Sequence, residues 1–143
     1  MQYHEIEYFH NNQNALTVLG DQDLREPLAD IIYIIPKDTI DSVLMNCVFL
    51  MINKEMCGGF SHKGLLKGRN VIAFHDMLYS QDTEKKADII LHEIAHCVLD
   101  RNIEGLPDEE YDKNEKDANA LKDKWINDWE KYLKTQEENN LRI

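Results

Sequence analysis

Ala87-Asp88-Ile89-Ile90-Leu91-His92-Glu93-Ile94-Ala95-His96-Cys97-Val98-Leu99 is the stretch from which the rest of the chain is read. It closes a run, Thr83 to Leu99, whose apolar residues extend nearly all round a helix, so that helix is expected to be buried. In its middle stands His-Glu-x-x-His. Positions i and i+4 share one helical face, one turn apart, so the His92 and His96 imidazoles can bind the same metal ion. Glu93 follows His92 directly and can serve as general base for a water at that ion. Buried polar groups without partners are costly, and one metal satisfies both imidazoles. The motif predicts a zinc site and hydrolysis, in the first place of a peptide bond.

A catalytic zinc takes three protein ligands and keeps one position open. No His follows His96, and the position six residues on is Asn102, so neither a His nor an Asp ligand stands at that spacing. A downstream carboxylate on a second helix remains. Asp108 to about Gln136 reads as one long helix with an apolar stripe of Tyr111, Ala118, Leu121, Trp125, Trp129 and Tyr132 or Leu133. Glu115 fills the gap in that stripe and is the expected third ligand. Asn119, one turn on, is placed to orient a ligand from behind. Gly105 and Pro107 supply a turn that lets the two helices fold back on each other. Asp100, Asp112 and Asp117 compete for the ligand role. Asp100 is expected to end the first helix or orient His96, and the other two lie off the stripe. Tyr111, one turn before Glu115, and His75 are the candidates for stabilising an oxyanion, each set against a plainer role as core or surface.

His92-Glu93-x-x-His96 followed by Glu115-x-x-Ala118-Asn119 resembles the gluzincin group of zinc metallopeptidases. Within that group it most resembles the small ImmA/IrrE-type proteins, whose second motif is a Glu followed by Ala-Asn or Ala-Asp. The resemblance spans about Thr83 to Trp125. It implies a zincin-like fold, Zn2+ bound by His92, His96 and Glu115, Glu93 as base, and one specific protein target, for example a regulatory protein. It also implies a sheet-edge strand before the metal helix that pairs with extended substrate. Val71 to Phe74 is the candidate edge, with an ordinary core strand as the competing reading. The chain departs from the family in lacking the hydrophobic stretch ending in proline that often follows the second motif. It also shows no helix-turn-helix segment.

The 143 residues are expected to form one domain, 1–143, with a core that needs no disulfide staples. Cys47, Cys57 and Cys97 form neither a knuckle nor a C-x-x-C pair and read as buried or half-buried thiols in a reducing compartment. Cys97 points about 100° away from His96 around the helix and is not a ligand. A net charge of −11 argues against nucleic-acid binding. No basic and apolar signal region opens the chain, and the longest apolar run, Val43 to Ile52, is interrupted by Asn46 and too short to span a bilayer. A soluble, cytoplasmic protein without membrane partners is expected.

Elsewhere, residues 3–9 read as a strand or an entry segment, and Ile31 to Ile35 as a strand ended by Pro36. Asp38 or Thr39 can cap a helix running to about Asn53. Phe60 to Leu66 and Asn70 to Phe74 read as a hairpin before the metal helix. The sum is an α+β fold: a small mixed or antiparallel sheet beside three main helices, with zinc between the last two. The leading function is a zinc metallopeptidase acting on a protein or peptide. The alternatives are a non-catalytic zinc-binding interaction module on the same fold, and a structural protein in which the motif is accidental.

Overall fold

The computed structural model describes residues 2–52, 59–66, 68–99 and 107–141, with residues 59–66 described by backbone alone. Cys57, Asp100 and the turn around Gly105 therefore lie outside the described residues, as does the side chain of His62. Four strands form one sheet: β1 (Val18–Leu19), β2 (Cys47–Ile52), β3 (Gly59–Leu66) and β4 (Arg69–His75), in the order β1-β2-β4-β3. β1, β2 and β4 are parallel, and β3 runs antiparallel to β4. The α+β class holds. The sheet is mixed, and the antiparallel alternative is corrected. Chain connectivity gives the reason. The segment from β1 to β2 carries the helices α2 (Arg25–Ala29) and α3 (Lys37–Asn46), and a crossover of that length returns the chain parallel. β3 and β4 are instead joined by a tight turn, where Gly68 takes a positive φ of 78°.

Three local expectations are corrected. Ile31 to Ile35 is not a strand. Ile32–Ile34 form a 3-10 turn between α2 and α3, with Ile31, Ile32 and Ile35 buried. A short apolar run buries equally well in either form, so its composition does not decide. The helix expected to reach Asn53 starts directly after Pro36 without a side-chain cap and stops at Asn46, whose Nδ2 donates to Ser42 O at 2.9 Å. Cys47–Ile52 has no polar alternation because it is a central strand, flanked on both sides. Val71 to Phe74 is likewise not an edge. β4 lies between β2 and β3, and all four of those side chains are buried. Of the two readings of residues 3–9, the entry segment is the one found: residues 3–7 lead into α1 (Tyr8–Asn11).

The hairpin leads through a 3-10 turn, Asp76–Ser80, into α4 (Thr83–Val98), the helix that carries the motif. Asp82 caps it, accepting from Lys85 N at 2.8 Å, a contact worth about 1 kcal/mol. Ile90, Leu91, Ile94 and Ala95 are fully buried and seat α4 in the core with Phe49, Ile72 and Phe74. α5 (Asp108–Leu141) packs along α4 and runs five residues beyond the expected end at Gln136. Ala118, Trp125 and Trp129 are its buried stripe. The rings of Tyr3 and Tyr33 lie 5.1 and 5.3 Å from Trp129 and hold the helix to the N-terminal half. The tryptophan stripe is thus core. Among the described residues no helix is long and apolar enough to cross a membrane.

Candidate metal centre

α4 and α5 meet as an antiparallel pair with a fixed register. His96 faces Glu115, His92 faces Asn119, and Asp88 faces Lys122, so each step of a turn up α5 is a turn down α4. This ladder places the motif residues. The charge pair at its outer rung, Lys122 Nζ to Asp88 Oδ1 at 3.5 Å, is partly exposed and contributes alignment more than energy. Its spacing was readable, since Asp88 lies one turn before His92 and Lys122 one turn after Asn119.

The His92, His96 and Glu115 side chains converge, with their ligand atoms all within 4.8 Å of one another. His96 Nε2 lies 3.0 Å from His92 Nε2 and 2.8 Å from Glu115 Oε1, and His92 Nε2 lies 3.0 Å from Glu115 Oε2. Tetrahedral ligands of one zinc stand roughly 3.3 Å apart, so a small relaxation outward admits an ion. The donor set also fits. The Asn119 Oδ1 atom, an amide acceptor, takes a hydrogen bond from His92 Nδ1–H at 2.9 Å. The proton on Nδ1 leaves the His92 Nε2 lone pair pointing at the cluster. Two imidazole nitrogens facing each other beside a carboxylate form a set that a divalent cation satisfies better than any single proton. The three residues can therefore hold a metal ion.

Asn119→Ala should lower the affinity for a divalent metal ion, probed with zinc, about 10- to 100-fold by freeing the His92 ring. Competition against a chromogenic chelator measures this, and an unchanged constant would mean that Asn119 does not orient the ligand.

Glu93 sits behind this cluster, 6 % exposed, and its Oε2 finds no hydrogen-bond partner among the described residues. Burial, and then the charge of Glu115, push its carboxyl up from 4.5 to about 8. The folded value lies above the unfolded one. The stability that Glu93 contributes is therefore full below about pH 4.5 and is lost as pH rises through about 8. Metal-free protein should lose stability across that window. Glu93→Gln should remove most of the loss, leaving the variant more stable than wild type at pH 8.5 by roughly 2–4 kcal/mol. Urea titrations of both proteins at pH 4.5 and 8.5 test it, and parallel behaviour of the two would contradict it. A cation at the cluster acts oppositely, favouring the carboxylate.

Tyr111 is not on the buried stripe. Its side chain is 43 % exposed, and Asn114 takes the buried position at that end of α5. The first turn of α5 extends past the core, so a stripe counted back from Ala118 loses its apolar surroundings there. Tyr111 still feels the cluster: the charge of Glu115 first, then its own desolvation and the charge of Glu93, raise its pKa and keep the phenol protonated. His75 is buried rather than on the surface. Its Nδ1 accepts from Met77 N at 3.1 Å and caps the 3-10 turn, a structural use. Asp112 is exposed, and neither it nor Asp117 belongs to the converging group.

Comparison of the chain with protein-family models, with curated proteins and with solved structures finds no match.

Proposed function

We propose that this chain is a zinc-dependent peptide hydrolase of gluzincin type on a zincin-like fold. The observation that carries the proposal is the convergence of His92, His96 and Glu115 beside the buried carboxyl of Glu93. Zn2+ held by the three side chains supplies a Lewis acid that polarises a carbonyl and acidifies water. Glu93 takes the proton of the attacking water and delivers it to the leaving amine. A cation held beside Glu93 would offset the effect of its burial and favour the carboxylate, the form a general base needs. Asn119 fixes the His92 ring. We assign Tyr111, whose phenol feels the charge of Glu115, the role of donor to the developing oxyanion.

The edge available to an extended peptide is β3, not β4. β3 is the last strand in the order, pairs on one side only among the described strands, and lies against α4. Strand addition there sets a peptide along the helix that carries the site. The family resemblance favours one specific protein substrate over general digestion, in the compartment of a cytoplasmic enzyme.

The test is cleavage by the zinc-loaded chain of a peptide library deep enough to include the sequences a selective site accepts, read by mass spectrometry of the products. The expected result is cleavage that stops with chelator and returns with zinc. Stoichiometric zinc with no cleavage would overturn the catalytic reading and leave a zinc-stabilised interaction module.

A further inference from the structure

The geometry points to a second chemical site, a redox-active dithiol formed by Cys47 and Cys97. Cys47 opens β2 and Cys97 lies in the last turn of α4, yet their Sγ atoms stand 2.6 Å apart. That is well inside van der Waals contact for two sulfurs, and closing it to the ~2.04 Å of a disulfide needs about half an ångström of movement. The surroundings hold the pair in place. Asn70, the β4 residue in register with Cys47, donates from Nδ2 to Cys97 Sγ at 3.2 Å. Arg69 donates to Cys47 O at 2.8 Å and to Leu44 O at 3.1 Å, pinning the junction of α3 and β2. Both cysteines border a surface cleft of about 650 Å³ together with Ser42, Asn70 and Val98, and Cys97, the less buried of the two, is the one a small oxidant meets.

The oxidant is a hydroperoxide. Cys97, the more exposed of the two, attacks its oxygen. An S–O bond forms, the O–O bond breaks, and the first water leaves with the thiol proton. Cys47 then attacks Cys97 Sγ. The S–S bond forms, the S–O bond breaks, and the second water carries away the remaining proton. Two thiols lose two electrons, and hydrogen peroxide becomes two waters. The closed pair ties the end of the motif helix to the central strand. The inference does not depend on the metal reading and stands or falls separately from it.

Cys47, Cys57 and Cys97 fall in three different tryptic peptides, so pairing is read directly. The full chain is treated with hydrogen peroxide, denatured, alkylated and digested. The expected product is the Cys47 and Cys97 peptides joined, two hydrogens lighter than their sum, with Cys57 alkylated, and dithiothreitol reverses the link. Cys57→Ser should behave as wild type, and Cys97→Ser should give no joined peptide. Intact oxidised protein should melt roughly 10 °C higher, the loop between the two residues being long. Joined peptides containing Cys57, oxygen added to single sulfurs without a cross-link, or a lowered melting temperature would each overturn the proposal.

Discussion

Glu93→Gln is expected to retain zinc and fold while losing peptide cleavage by about 10²- to 10⁴-fold, the range that a positioned acid–base group supplies. The amide preserves the volume and the hydrogen-bonding edge of the carboxyl but cannot take up a proton. The rest of the cluster is untouched, because Glu93 is not one of the three converging side chains. The same substitution removes a buried ionisable group, so it should not unfold the protein. Kinetics on a cleaved peptide, with zinc content measured in parallel, checks both halves. Activity within a few-fold of wild type in a zinc-replete variant would remove Glu93 from the mechanism.

Glu115→Ala should weaken zinc binding by more than about 100-fold, beyond the loss expected of an outer-shell partner such as Asn119. Glu115 presents one carboxylate oxygen to each imidazole, at 2.8 and 3.0 Å, and it is the only carboxylate of the group. Its removal leaves two imidazole nitrogens on one helix, a pair with little hold on a divalent ion. Asp117→Ala is the control and should bind as wild type, since Asp117 lies outside the group. Chelator competition on the two variants separates them. A loss in Asp117→Ala with none in Glu115→Ala would mean that the ligand had been assigned to the wrong residue of α5.

The two helices that make the site were legible because their patterns are long. Over Thr83–Val98 and Asp108–Leu141 the 3.6-residue period repeats often enough to fix which side chains share a face. Once two helices fold back on each other, the spacing of His92, His96, Glu115 and Asn119 determines one register, and the structure has it. What was not legible is what depends on partners remote in sequence. Cys47–Ile52 continues the apolar run of α3 past a single polar residue, Asn46, and its place between β1 and β4 makes it a strand. Val71–Phe74 read equally well as edge or centre, because nothing local says that β3 will pass to the outside. Tyr111 kept the period of the stripe but sits past the end of the core that gives the period meaning. The closeness of Cys47 and Cys97, fifty positions apart, had no sequence signal at all.

Elemental analysis of wild-type protein, purified without chelator and then titrated with zinc, tests the central claim most directly. The account predicts one zinc per chain, held tightly enough to survive gel filtration and displaced by a strong chelator. A chain that takes up no zinc at any step while remaining folded would contradict it, and His92, His96 and Glu115 would then be no more than a hydrogen-bonded cluster between two helices.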